Sequence, residues 1–242
     1  MNKLRFYQPS AYDAEVISEM FAVSPALTDV YTYIRLHPAP GEDSRLWFGA
    51  DGDNKIRAVL YDDGSYITQT DIAKKRFTVS RSAVNGGLFS RPKRKNILSF
   101  MVFAGQLREP EKAVSLLSGT QLIGVMRLIS GCEKLPDYVE KKYVEAVRAV
   151  NSRLSVYVGI YDGDVLVSCG GITAVNEKYA LIGNIFTKEE YRKRGLARAV
   201  VISLVNEAAD RGLIPVLYCE KNKEGFYRKL GFEPFSGDTA VG

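Results

Sequence analysis

Apolar side chains recur along this chain with a period near 3.6 in some stretches and near 2 in others, and the switches between the two mark its elements. Residues 14–21 and 27–36 carry helical patterns that end at the breakers His37-Pro38-Ala39-Pro40-Gly41. The stretch RLWFGADGDNKIRAVLYDDGSYITQT then predicts two or three short strands, with Asp51-Gly52-Asp53 and Asp62-Asp63-Gly64 supplying the turns. NILSFMVFAG reads as another strand, EPEKAVSLLSG as a helix and QLIGVMRLIS as a strand. LPDYVEKKYVEAVRAV is helical again, since Tyr138, Val139, Tyr143, Val144, Ala146, Val147 and Val150 recur at three- and four-residue intervals. Gly131 and Pro136 precede it. A boundary is therefore expected near residue 131, dividing an N-terminal α/β domain (1–130) from a second domain (131–242).

The second half continues with LSVYVGIYDGDVLVSCGGITA, a hairpin about Asp162-Gly163, and KYALIGNIFT, a third strand of an antiparallel meander. WFGADGDNKIRAVL and YVGIYDGDVLVSCG share a strand, a glycine, a D-G-D turn and a second strand at an offset of about 110 residues. Duplication would produce that match, and so would turn chemistry alone. After the meander, Leu196, Val200, Leu204 and Ala208 mark one face of a long helix that Gly212 stops. LIPVLYCEKN is a strand with Pro215 at its start, KEGFYRKLGFEPF a short helix carrying Tyr227, and residues 232–235 a last strand.

Composition narrows the class. At 242 residues, 46% of them hydrophobic, the chain has material for two folded domains of roughly 100–150 residues each. The net charge of +5 is modest: 17 basic against 13 acidic side chains in residues 1–130, and 16 against 15 in residues 131–242. That balance demands no nucleic-acid partner. The basic runs Lys74-Lys75-Arg76 and Arg91-Pro92-Lys93-Arg94-Lys95 lack interleaved aromatics and read as solvated faces. The N-terminus lacks the apolar core of a signal peptide, and no apolar run reaches the roughly 18 residues of a membrane span. Cys132, Cys169 and Cys219 are odd in number and far apart, which suits a reducing, cytoplasmic compartment. Nothing beside Cys219 would lower its pKa, so it reads as a small buried hydrophobe. The sole histidine, His37, has no partner for a zinc site or a Ser-His-Asp triad and reads as a loop residue; no metal is expected.

The candidate chemistry gathers at IFTKEEYRKRGLAR. The strand that ends at Thr187 gives way to Arg192-Lys193-Arg194-Gly195-Leu196-Ala197, where the long helix begins. A helix N-terminus offers unpartnered N–H groups and partial positive charge, both suited to an anion such as pyrophosphate. Gly195 lets backbone approach phosphate oxygens closely, small Ala197 helps, and the flanking cations add charge-assisted hydrogen bonds. In isolation such a turn reads better as wet surface than as a site.

The order of strand, basic glycine turn, long helix, strand, short helix and strand is more specific than its parts. Over residues 150–235, and most closely over 180–233, it resembles the GNAT superfamily of acetyl-CoA-dependent N-acetyltransferases. Arg192-Lys193-Arg194-Gly195-Leu196-Ala197 is similar to that family's R/Q-x-x-G-x-G/A turn, and Phe226-Tyr227-Arg228-Lys229-Leu230-Gly231-Phe232 to its L-Y-x-K-x-G-F signature. The resemblance implies an α/β (α+β) fold: a mixed, mostly antiparallel sheet flanked by helices and splayed between the strand ending at Thr187 and the strand around Val216, preceded by an N-terminal domain that is either a degenerate copy or unrelated. It implies that Ile185, Phe186 and Thr187 offer main-chain groups to the pantetheine arm and thioester of acetyl-CoA, that Arg192, Lys193, Arg194, Gly195, Leu196 and Ala197 hold the pyrophosphate, and that Tyr227 is the general acid. Asn222 resembles an asparagine that precedes this tyrosine, at five residues where seven is common.

The implied reaction is acetyl transfer to a primary amine of a small molecule or peptide by direct attack. An amine with a pKa near 10 must lose a proton first, and a backbone N–H at the strand end would stabilise the oxyanion. The general base is not marked by the sequence: Glu220, near the end of its strand, is a candidate, but it and Glu177, in the preceding turn, each read more readily as solvated carboxylates, and a water chain would serve as well. The alternative is a CoA-binding module without catalysis. No membrane is expected as a partner, and a homo-oligomer is left open.

Overall fold

The computed structural model describes residues 4–9, 25–37, 45–54, 56–62, 66–71, 76–81, 98–131 and 137–235. Two sheets organise them. In the first, β1 (Arg5–Tyr7), β2 (Leu46–Ala50), β3 (Ile56–Asp62), β4 (Tyr66–Asp71) and β5 (Arg76–Arg81) lie in chain order, each antiparallel to the next. Helix α1 (Thr28–Leu36) covers this sheet, packing Val30, Tyr31 and Ile34 on Leu46, Phe48, Val59 and Tyr61. The turn at 51–54 and the helix over 27–36 follow the sequence pattern; the helix expected at 14–21 lies outside the described residues, as do Lys74, Lys75 and the run 91–95.

The second sheet has the order β12-β6-β11-β10-β9-β8-β7. Its strands are β6 (Leu98–Phe103), β7 (Ser115–Leu117), β8 (Val156–Asp162), β9 (Val165–Val175), β10 (Tyr179–Thr187), β11 (Ile214–Glu220) and β12 (Phe232–Pro234). β10 and β11 run parallel and the other neighbours antiparallel. Helices α2 (Gln121–Ser130) and α3 (Asp137–Asn151) pack on one face with Tyr157, Leu166 and Cys169; α4 (Leu196–Asp210) fills the other with Val200, Val201, Leu204 and Val205. Fully burying an aliphatic side chain is worth about 1.5–3 kcal/mol, so these two layers supply most of what holds the sheet.

Three expectations are corrected. QLIGVMRLIS is the helix α2: Leu122, Val125, Met126 and Ile129 lie three and four residues apart and turn inward, and Gly131 closes the helix in the left-handed conformation (φ 68°). EPEKAVSLLSG carries no helix; only β7 forms there, paired with β8. The boundary expected at residue 131 falls within the second sheet, because β6 and β7 precede it in the chain yet pair with β11, β12 and β8. Gly131 stops a helix there, and the sheet begins upstream, at Leu98.

The halves are joined through buried hydroxyls. Thr32 donates to the Val175 carbonyl (2.8 Å) and accepts the Val175 N–H (2.9 Å), while the Asn176 amide donates to Thr28 (3.3 Å). Thr28 and Thr32 lie one helical turn apart, so one stripe of α1 seats on the end of β9.

Candidate active site

The parallel pair β10–β11 is registered from Tyr179 opposite Ile214 to Ile182 opposite Leu217 and goes no further. Beyond that point β10 follows β9 until Thr187 faces Ser168, while β11 follows β6 until Glu220 faces Leu98. The sheet therefore opens along this seam. A bulge steers the upper lip: Asn184 adopts φ 56°, and the β9 register skips between Gly183 and Phe186. The Asn184 amide donates to the Tyr157 hydroxyl (3.2 Å), and Ile185 sinks toward α4 above Gly170. A Cβ at Gly170 would lie 2.4 Å from the Ile185 Cδ1 and 2.7 Å from Val200, so only glycine lets strand and helix close there.

The opening leads into a cavity of about 620 Å³, within the usual range for small-molecule sites. Its floor comes from Ser155, Thr173 and Leu181 through Ile185, one wall from Tyr218, Cys219, Glu220, Lys223 and Tyr227, another from α3, and a third from α1 and Tyr61. Ile185, Tyr227 and Glu220 thus share one cavity. Phe186 turns away to pack beneath α2 and α3; its carbonyl accepts the Ser168 hydroxyl (3.0 Å), which also lies 2.8 Å from the Thr187 hydroxyl. Asn222 is exposed in a short 3-10 turn and does not line the cavity, and Glu177 is exposed in the β9–β10 turn, at the closed end of the seam.

The basic turn is tied by hydrogen bonds within its own loop and to the neighbouring hairpin. Tyr191 donates to Asp162 (2.7 Å) at the tip of the β8–β9 hairpin, and the Arg194 guanidinium lies 5.0 Å over the Tyr191 ring. Arg194 donates to the Glu190 carbonyl (2.9 Å) and Arg192 to the Thr187 carbonyl (3.3 Å), so both arginines also tie their own loop together. Lys193 (φ 61°) and Gly195 (φ 81°) both take the left-handed conformation, and a Cβ on Gly195 would meet nothing within 4 Å. The first ladder bond of α4 runs from the Ala199 N–H to the Gly195 carbonyl (3.0 Å), so the amides of Leu196 and Ala197 have no intrahelical acceptor.

Tyr227 is only 8% exposed, set between Phe226 and Phe232, and burial pushes its phenol up to about 12. Burial likewise raises the neighbouring Cys219 thiol to about 11; its sulfur lies 3.5 Å from Met101. A thiol so held stays protonated, which fits a packing role. Glu220 is partly exposed, with Lys223 3.5 Å from its carboxylate. The Ser99 hydroxyl donates to Glu224 at the head of α5 (Glu224–Arg228), anchoring the helix that carries Tyr227 to strand β6. Ser99, Glu224, Asn184 and the α1 wall are absent from the motif reading; only the three-dimensional pairing of distant segments brings them here.

Residues 118–232 match the model of the Acetyltransferase (GNAT) family. The chain carries a GNAT acetyltransferase domain. As such it is an acyltransferase, built on the mostly antiparallel splayed sheet described above. Among solved structures, a GNAT-family acetyltransferase from Colwellia psychrerythraea is 12% identical over 96% of each chain with a TM-score of 0.56, a likeness of fold that spans both halves of the chain. A GNAT-family protein from Novosphingobium aromaticivorans is 20% identical, with a TM-score of 0.46; the alignment covers 57% of this chain and 59% of that one. An acetyltransferase from Clostridium acetobutylicum, solved with acetyl-CoA, is 17% identical over 54% of this GNAT chain and 94% of its own, with a TM-score of 0.45. Among curated proteins none matches the sequence.

Proposed function

We propose that this protein transfers an acetyl group from acetyl-CoA to a primary amine of a small molecule or peptide by direct attack. The observation that carries the reading is the parting of β10 and β11 beyond Leu217, with the bare amides of the α4 N-terminus beyond one lip and Tyr227 on the other. On this reading Arg192, Lys193, Arg194, Gly195, Leu196 and Ala197 receive the pyrophosphate. The bulged strand through Ile185, Phe186 and Thr187 borders the pantetheine arm. A bulge leaves backbone groups outside the ladder, and an N–H of this kind would meet the developing oxyanion.

The neutral amine attacks the thioester carbonyl carbon; a C–N bond forms and the C–S bond breaks. The thiolate takes the Tyr227 proton, and the proton lost by the amine nitrogen passes to Glu220 or to water, from which the phenol is replenished. No covalent enzyme intermediate is involved, consistent with the buried, protonated Cys219. A cytoplasmic location belongs to the same reading, as Cys169 and Cys219 are free and buried.

The first sheet is read as a degenerate copy: β1, a helix and the meander β2-β3-β4 repeat the order of β7, helices and β8-β9-β10, without a basic glycine turn. Thiol release from acetyl-CoA across a panel of amines tests the proposal. Amine-dependent release is expected; tight acetyl-CoA binding without turnover on any amine would instead support a non-catalytic CoA-binding module.

A further inference from the structure

The wall that α1 adds to the cavity has a chemistry of its own. Asp29, Tyr33 and His37 follow one another at four-residue intervals, so they form a single stripe, and all three line the cavity. His37 stacks on Tyr33 with ring centroids 4.7 Å apart at 29°, and Tyr61 tilts against the same ring at 5.2 Å and 48°. Three aromatic rings in contact thus hold Tyr33 in place. Across the cavity α3 presents Lys142 and Glu145, three residues apart and on one face. Among the charged side chains that line the cavity, the carboxylates of Asp29, Glu145 and Glu220 outnumber the ammonium groups of Lys142 and Lys223 by one. Aromatic faces carry a negative quadrupole, and a carboxylate in excess in the same cavity adds to it, so an organic cation is favoured.

We propose that this stripe is a second recognition point for the acceptor, selecting amines that carry a further cationic nitrogen beside the one to be acetylated. The inference rests on the acetyltransfer reading for what happens at the near end of the cavity, and on the α1–α3 wall alone for what is held at the far end. Tyr33 and Glu145 are specificity residues in this account. The N-terminal half therefore acts in substrate choice, through a histidine and tyrosines that no motif marks.

The test compares three acceptors of equal chain length on the full-length protein: a linear diamine, the monoamine, and the ω-amino acid with a carboxylate in place of the second nitrogen. The diamine is expected to exceed the monoamine by about tenfold in kcat/KM, the scale of one desolvated cation–π contact, and the amino acid is expected to be worst. In Glu145→Gln and Tyr33→Leu that ratio should fall toward unity, chiefly through KM. Glu145→Gln is a mild change on a helix surface, so it carries the test should Tyr33→Leu fail to fold by circular dichroism. Equal use of diamine and monoamine, preference for the amino acid, or a ratio unchanged in Glu145→Gln would overturn the proposal. If no amine is acetylated, the acetyltransfer reading has failed, and calorimetry with the diamine decides the wall separately. Binding weakened by Glu145→Gln upholds it; absence of binding overturns it.

Discussion

At the scale of single residues, Tyr227 poses a question of driving force. A phenol pushed from 10.0 to about 12 is a weaker acid than one in water, which by itself would slow proton donation. The same surroundings lift the Cys219 thiol from 9.0 to about 11, so a thiolate leaving beside Tyr227 would be desolvated too. A thiolate desolvated in this way is a stronger base than one in water, which works against the weakening of the phenol as a donor. Replacing Tyr227 by Phe should lower kcat by about a hundredfold, the lower end for a lost general acid, with the acetyl-CoA KM within about twofold. Turnover unchanged at every pH would remove Tyr227 from the mechanism. The linkage has a definite sign: the folded-state value lies above the unfolded one, so the associated stability is intact below pH 10 and is lost as pH rises toward 12. Because burial raises Tyr157 to about 12 as well, the variant should soften that alkaline loss without abolishing it.

At the scale of elements, α5 is five residues long, far too short to persist by its own propensity. Its place is set by Tyr227 and Leu230 in the core and by Glu224, which accepts from Ser99 on β6 and lies 3.6 Å from Arg228. Ser99→Ala should cost about 1 kcal/mol, a typical hydrogen bond with a charged acceptor discounted for partial exposure. Turnover should drop several-fold while acetyl-CoA affinity is kept; an unchanged kcat alongside a lowered melting temperature would show that the anchor holds the fold but not the tyrosine. This anchor also shows where the sequence stopped being readable. The β8–β9 hairpin and α4 were legible because Asp162-Gly163 and the basic glycine turn act within a few residues. The pattern of NILSFMVFAG marks β6 as a strand but not its place in the sheet, because its partners Val216 and Phe232 lie more than a hundred residues away. In QLIGVMRLIS the apolar run is nearly continuous and fits either period, and packing against α3 decides for helix. The Asn184 bulge has only a faint local signature, Gly183-Asn184 within a strand pattern, and the pairing with β9 decides where the strand bends.

At the scale of the whole molecule, the decisive feature is that the second sheet is closed by a strand from the first half of the sequence. β6 sits between β11 and β12 and supplies the antiparallel partner of both, and Gly105 and Gly231 pack so closely that a Cβ on Gly105 would fall 2.8 Å from the Gly231 Cα. β11 is also one lip of the opening, so removing β6 would strip backbone partners from the strand that borders the cavity. Truncations at two points should therefore behave differently. A chain starting at residue 131 loses β6, β7 and α2, and is expected to give no acetyl-CoA binding and no cooperative melt. A chain starting at residue 98 keeps the second sheet entire but loses α1. It is expected to bind acetyl-CoA within a few-fold of the full chain, since the basic turn and α4 lie wholly downstream, while the acceptor KM rises by at least about tenfold because the Tyr33 wall and the Thr32–Val175 seat are gone. Calorimetry with acetyl-CoA and amine titrations of the two fragments measure these outcomes. Unimpaired acceptor kinetics in the 98-onward chain would mean that the first sheet does no more than cap the second.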